Sequence, residues 1–263
     1  MYSSSDIKNA LKKTGIKKGD TVFLSTSIGL LGKPNIKNLK NINQICKFIF
    51  KAVNSFIGKE GNILVPTYSY SIGKGETFNP KKTLPAKSIG PFSRFFLKQK
   101  NIRRSIDPMV SVAGKGPLIK KLLSNIPHTS YGKDCIFERL ISIKKSKCCS
   151  IGLGYNMVPF LHHLDWINKV PFRYDKYFKG KILIEKKIHN VVWHYPVRYK
   201  KKSAISDGYK LGKKALEKKV LKEFKLGSGM VYSGNYKNYI KFANKEVKKN
   251  PWLTASGKIW KID

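Results

Sequence analysis

The sequence predicts an α/β fold built as one domain, and three observations lead there. Short apolar β runs at Thr21 to Leu24, Asn62 to Val65 and Cys149 to Leu153 alternate with stretches of helical periodicity, the clearest of which follows Asn43 and ends at Ile57. The first two runs empty into polar clusters, Ser25-Thr26-Ser27-Ile28-Gly29 and Pro66-Thr67-Tyr68-Ser69-Tyr70. In open α/β sheets ligands bind where loops leave the carboxyl ends of the strands, so both clusters are expected at a site. Finally, 263 residues suffice to bury one full core, and no linker, repeat or low-complexity block divides them.

Taken in order, Asp6 to Lys13 reads as a helix with Ser5 as N-cap, closing near Gly15. In the helix after Asn43, residues Ile45, Phe48, Ile49, Ala52, Val53 and Phe56 recur at the spacing of one buried face. Gly73 to Gly90 shows no periodicity and is expected as a long loop, followed by a helix at Pro91 to Lys98 and a strand at Met109 to Val112. The adjacent Arg103 and Arg104 before Ser105 could grip a phosphate. Short helices are expected at Pro117 to Leu123 and Cys135 to Ile141. Beyond Arg173 the texture changes, with antiparallel strands at Lys181 to Glu185 and Val191 to Tyr199 and a basic helix at Tyr209 to Phe224. A strand at Met230 to Ser233 and a helix at Tyr236 to Val247 follow. Within the single domain 1–263, residues of about 174–250 are expected to form a wall or lid over the site.

The net charge is +38, yet arginine supplies only six of the 53 basic residues, and lysine is scattered along the whole chain. Nucleic-acid sites concentrate arginine, whose planar fork matches phosphate and base edges, so a non-catalytic nucleic-acid-binding protein is the weaker reading. The surplus charge still attracts anions and repels polycations at short range. The start of the chain lacks the apolar core of a signal peptide, and no stretch approaches the roughly 20 apolar residues of a membrane span, so a cytoplasmic protein is expected. The four cysteines include the neighbours Cys148 and Cys149, which should point to opposite faces of a strand; reduced thiols, and no metal, are expected. Walker, H-E-x-x-H and C-x-x-C patterns are missing, and Gly152-x-Gly154 lacks the third glycine of a dinucleotide fingerprint, with Met157 in its place.

The stretch from Cys148 to Arg173 holds the strongest chemical signal. A buried strand runs through a glycine-loosened turn into a helix from Met157 to Ile167, whose Leu161 and Leu164 face inward. His162 and Asp165, three residues apart, are neighbours on that helix. The carboxylate is expected to accept from one imidazole nitrogen and leave the other as a general base. His163 lies about 100° further round and is expected to be structural or a second wall of the cleft.

Five segments in order resemble the aminoglycoside N3-acetyltransferase family, from about Ile7 to Thr254: GDTVFLSTSIGLLG, GNILVPTYSYS, RRSIDPMVSVAGKG, HTSYGKDCIFERL, and FLHHLDW followed by VPFR, with NPWL near the end. The resemblance implies a single three-layer domain on a mixed sheet with an added C-terminal α+β portion. It also implies acetyl-CoA or another short acyl-CoA as co-substrate, no metal, and catalysis by His162 and Asp165. Acyl-CoA is expected against Thr26, Ser27, Arg103, Ser105 and Ser111, and the acceptor against Thr67, Tyr68, Tyr70 and Arg173. This chain departs from the usual pattern, with Asp165 in place of Glu, Pro159 of Thr, Asp107 of His and Ser25 of His. With only 15 acidic residues to hold a polycation, the expected acceptor is the primary amine of an amino sugar carrying a nucleotide diphosphate, which lysines and Arg173 could meet. An aminoglycoside acceptor is the alternative. The partners expected are therefore an acyl-CoA and a small-molecule amine, with no nucleic acid, and a homodimer is compatible with the pattern. Direct transfer is expected over an acyl-enzyme, since no cysteine sits in a nucleophile context.

Overall fold

In the computed structural model, which describes residues 1–199 and 205–256, seven strands form one mixed sheet. Three parallel strands make its centre: β1 (Thr21–Thr26), β2 (Asn62–Pro66) and β5 (Ser146–Ile151), with β1 in the middle. Beyond β2 lie the antiparallel β4 (Val112–Lys115) and the two-residue β3 (Arg103–Arg104). Beyond β5 lie β10 (Gly229–Asn235) and the edge strand β9 (Lys222–Leu226), both joined by antiparallel pairing. The edges are very short at β3 and rich in charge at β9, where Lys222, Glu223 and Lys225 are exposed or half-exposed; both devices discourage another chain from pairing there.

Strand alternation sorts the core into two layers. Val22, Leu24, Ile63, Val65 and Cys149 meet α1 (Ser4–Lys13), α2 (Ile42–Ile57) and α3 (Pro91–Leu97) on one face. Phe23, Leu64, Val112 and Cys148 face the other layer. That layer contains α4 (Ile119–Leu123), α5 (Ile136–Ser142), α6 (Val158–Ile167), α7 (Tyr209–Glu217) and α8 (Tyr236–Lys249). The period-two rule thus puts the neighbours Cys148 and Cys149 on opposite faces, each a free buried thiol. No helix among the described residues is long and apolar enough to cross a membrane.

Several boundaries differ from expectation for local reasons. The first two helices start earlier because Ser3, not Ser5, and Asn41, not Asn43, close capping boxes with Asp6 and Gln44. The strand expected from Met109 begins at Val112, since the Asp107 carboxylate accepts from the N–H groups of Met109 and Val110 and holds them in a turn. The helix expected to reach Phe224 ends at Glu217; Lys219 turns left-handed (φ 55°) and the chain enters β9.

The largest correction concerns residues 174–250. Not all of them stand over the site as a wall or lid: β9, β10 and α8 belong to the main sheet and core, while Tyr195, Val197, Arg198 and Ser206 lie beside His162. Residues 200–204 of that stretch lie outside the described residues. What does stand apart from the main sheet is one hairpin, β6 (Arg173–Ile184) and β7 (Lys187–Arg198), paired along all twelve residues of each strand. It is tied to the body through Phe78, which pairs beside Ile182, and through His194, whose ring bonds Thr129 Oγ1 at 2.6 Å while Asp175 of β6 holds its other nitrogen at 2.7 Å. A last two-stranded ladder joins β8 (Ile205–Ser206) to β11 (Ala255–Ser256).

Gly152, at the turn after β5, combines φ +74° with no room for a side chain, since a Cβ would stand 2.4 Å from the Ser27 carbonyl oxygen. Gly152→Ala is expected to cost roughly 1–3 kcal/mol. Gly29→Ala, with open space around it and no left-handed φ, should stay within about 0.5 kcal/mol of the parent. Urea unfolding of the two variants side by side checks both.

Candidate active site

Helix α6 opens with Met157 in the left-handed region (φ 46°) and Pro159 in its first turn, where the missing N–H is harmless. Phe160, Leu161 and Leu164 are buried in the core, and Phe160 meets Phe23 of β1 edge-on at 5.0 Å. With that face fixed, His162 and Asp165 fall on the side turned toward the hairpin. Asp165 is fully buried, and His162 keeps 17% of its side-chain surface exposed.

Arg173, the first residue of β6, joins them. Its Nε donates to Asp165 Oδ2 at 2.6 Å, its Nη1 to the Pro196 carbonyl at 3.1 Å, and its Nη2 to Ser206 Oγ at 2.7 Å and to His162 Nδ1. Thr254, one residue before β11, donates to Asp165 Oδ1 at 2.5 Å. Two expectations change here. Asp165 does not accept from His162 directly, because Oδ2 lies 4.0 Å from Nδ1 and Arg173 stands between them. Nor is Arg173 available for a diphosphate, since only 5% of its side chain is exposed and every nitrogen is engaged within the protein.

His162 opens into a cleft of about 430 Å³, lined also by Arg173, Tyr195, Val197, Arg198 and Ser206. Tyr131 meets the imidazole edge-on at 5.3 Å, and the Tyr195 ring meets Tyr131 in turn, edge-on at 5.5 Å. Burial, and then the Arg173 charge, hold the His162 pKa below the ordinary histidine value; Asp165 opposes them. Burial and the neighbouring guanidinium thus favour the neutral ring. A second cleft, of about 660 Å³, lies on the other side of Arg173 and carries Glu138, Asp165 and Asp175 beside Trp166 and Tyr174.

His163 is fully buried, donates from Nδ1 to the Tyr131 carbonyl at 2.9 Å, and stacks against Trp166 and Phe137. Cys135 lies 3.6 Å from it, but burial pushes this thiol up to about 12 and Cys148 likewise, leaving no thiolate for an acyl-enzyme at either. No cluster of three or more His, Cys, Asp or Glu among the described residues could hold a metal.

The residues expected to bind acyl-CoA do not line one cleft. Thr26 and Ser27 are half-buried at the carboxyl end of β1. Ser105 and Ser111 have no exposed surface: Ser105 Oγ accepts from the Val112 N–H, and Ser111 Oγ donates to the Thr67 carbonyl. Arg103 is exposed beside Lys59 and Lys115 in a separate surface recess at the β3 edge. On the acceptor side, Thr67 is equally enclosed, donating to the Ser111 carbonyl at 3.0 Å, and Tyr68 is only 5% exposed; Tyr70 remains half-buried. The residue that closes this region is Arg104. It donates to the carbonyls of Thr67 and Thr83 and to Ser111 Oγ, and lies 5.0 Å over the Phe78 ring, stapling the 73–90 loop to the sheet. The arginine pair is thus divided between a surface residue and a structural tie.

A family model described as aminoglycoside 3-N-acetyltransferase matches residues 34–248. The chain belongs to this family. Aminoglycoside N(3)-acetyltransferase III from a Salmonella species is 22% identical over 190 residues, which cover 65% of this chain and 63% of that protein; the Acinetobacter baumannii protein of the same name matches equally. The match therefore spans somewhat less than two thirds of those relatives' length. The fold agrees with solved structures across nearly the whole chain. The sisomicin-bound AAC-VIa superposes with a TM-score of 0.80 at 18% identity, covering 94% of this chain and 98% of that one. AAC-IIIb with CoASH gives 0.79 at 13%, covering 94% and 96%, and the Bacillus subtilis YokD protein gives 0.79 at 18%, covering 95% and 94%.

Asp107 is buried and accepts from Ser130 as well as from two backbone N–H groups; burial still pushes its pKa up to about 6. Because the folded value is raised, the contribution of Asp107 to stability is full below about pH 4 and is lost as pH rises through about 6. Asp107→Asn keeps the acceptor for Met109 and Val110 but does not titrate. Relative to the parent, it should gain about 2–3 kcal/mol between pH 4 and pH 7 in denaturant unfolding series.

Proposed function

We propose that this chain transfers the acetyl group of acetyl-CoA to a primary amine of an aminoglycoside-type amino sugar. The observation that carries the reading is His162, an imidazole opening into a cleft in a chain whose family performs N-acetyl transfer. The CoASH-bound AAC-IIIb and sisomicin-bound AAC-VIa, alike in fold, support both co-substrates. In the reaction the amine nitrogen attacks the thioester carbonyl carbon, the C–N bond forms, the C–S bond breaks, and the proton shed by nitrogen ends on sulfur. An imidazole at the reacting carbon can assist either the proton or the oxyanion. Thr26 and Ser27 remain the hydroxyls at a strand's carboxyl end for CoA to meet. Buried Ser105 and Ser111 are withdrawn from that role.

The cleft on the other side of Arg173 offers Glu138 and Asp175 to a cationic acceptor, with Lys169 on the same wall offsetting part of that charge. One observation favours a second acceptor: among the described residues no carboxylate lines the His162 cleft, and Arg198 stands exposed in it. That lining suits an amino sugar bearing an anionic group such as a nucleotide diphosphate.

Thiol release from acetyl-CoA, screened against kanamycin-type amines and nucleotide-linked amino sugars, separates the two. Turnover with the first class is expected; turnover confined to the second transfers the assignment to the anionic acceptor. His162→Ala is expected to lower kcat by at least about 10²-fold with the fold retained by circular dichroism. Near-normal turnover in that variant would remove His162 from the reaction.

A further inference from the structure

Trp193 of β7 has no exposed surface, and its indole N–H donates to Ser130 Oγ at 3.0 Å. An indole nitrogen only donates, so Ser130 is the acceptor and its own hydrogen must go elsewhere. It goes to Asp107 Oδ1 at 3.1 Å, the oxygen that also takes the Met109 and Val110 N–H groups at 2.8 and 2.9 Å. The direction of these bonds thus follows from the tryptophan alone. A proton taken up by Asp107 belongs on Oδ2, since Oδ1 already accepts three bonds, and the row of bonds persists in either charge state. All three side chains are buried, which makes each bond costly to leave unmade. The backbone runs the same way: the Ser130 N–H donates to the His194 carbonyl at 3.1 Å, and the His194 N–H to the His128 carbonyl at 2.9 Å.

What these bonds hold is a wall of the His162 cleft. Residues 193, 195 and 197 share one face of β7, and Tyr195 and Val197 line that cleft. The wall is fixed at two points, at Trp193 by Ser130 and at the Pro196 carbonyl by Arg173 Nη1, 3.1 Å away. Ser130 is followed by Tyr131, whose ring lies edge-on to both Tyr195 and His162, so the segment that carries Ser130 reaches the site as well. We propose that Asp107 is a positioning residue: acting through Ser130 and the Trp193 indole, it fixes where Tyr195 and Val197 stand beside His162. Asp107 itself does not line the cleft, and its effect on the reaction passes through the wall. A wall that touches substrate away from the reacting atoms is felt alike in the ground and transition states, and so in KM more than in kcat. That kinetic consequence rests on the acetyl-transfer reading; the placing of the wall does not.

The wall can be read without turnover. In the full chain with ¹⁵N-labelled tryptophan and ring-¹³C-labelled tyrosine, the signals lost in Trp193→Phe and Tyr195→Phe identify these residues among four tryptophans and 13 tyrosines. The Trp193 indole proton is expected downfield and slow to exchange. In Ser130→Ala it should exchange at least about tenfold faster, and the Tyr195 ring signals should shift. Asp107→Asn keeps an acceptor at Oδ1 and should leave both sets of signals in place, whereas Asp107→Ala should move them as Ser130→Ala does. In turnover, Ser130→Ala should raise the KM of one substrate about tenfold and hold kcat within about threefold. Should that variant not fold, Trp193→Phe, which keeps the packed ring and loses only the donor, should give the same shift at Tyr195 and the same split. A fast-exchanging indole in the parent, Tyr195 signals unmoved when the donor or Ser130 is removed, or a fall in kcat alone overturns the proposal. No turnover of any amine would sink the acetyl-transfer reading, while the Asp107 assignment stands or falls on the tyrosine signals.

Discussion

The buried pair of Asp165 and Arg173 is the constraint on which the candidate site depends. The carboxylate has no exposed surface and the guanidinium almost none, so each needs the other and the hydrogen bonds around them. Removing one partner from such a pair costs about 3–5 kcal/mol, because the other charge stays buried and uncompensated. The pair draws α6, the start of the hairpin, Ser206 of β8 and Thr254 to one point, and the orientation of His162 follows from that convergence.

This arrangement places few negative charges where they matter most. Of 15 acidic residues against 53 basic ones, Asp20, Asp107 and Asp165 are buried. Others bind the surface locally, as Glu246 does between Lys214 and Lys249 on α7 and α8. Exposed pairs of that kind contribute little, whereas the buried ones set geometry. The large positive balance thus belongs to the solvent-facing shell, and the cleft beside His162 is governed by Arg173, Arg198 and Tyr195.

The layered sheet was legible from periodicity, since the runs at Thr21, Asn62 and Cys149 and the helix ending at Ile57 carry alternation or helical spacing that burial alone accounts for. His162 and Asp165 were legible as helix neighbours, but neighbours in spacing need not be bonded partners, and the guanidinium between them comes from a strand eight residues later. Thr254 and Ser206 gave no local signal, because their roles exist only through contacts spanning 89 and 33 residues. Arg104 and Ser111 were misread for a related reason. A polar residue after a strand looks the same in sequence whether it faces a ligand or closes a loop, and the 73–90 segment that consumes Arg104 has no periodicity of its own.

The reach from Asp165 to Thr254 also sets an order of events during synthesis. Translation can complete β1, β2, β5 and α6 and still leave the Asp165 carboxylate lacking its hydroxyl partner until residue 254 has emerged. Helix α8 and the β10–β9 edge are made in that interval, so the main sheet closes before the last ligand of the carboxylate arrives. Contacts so distant in sequence form late and slowly. A nascent chain arrested between α8 and Thr254 would already hold every strand of the main sheet while the Asp165 carboxylate still lacked its hydroxyl partner.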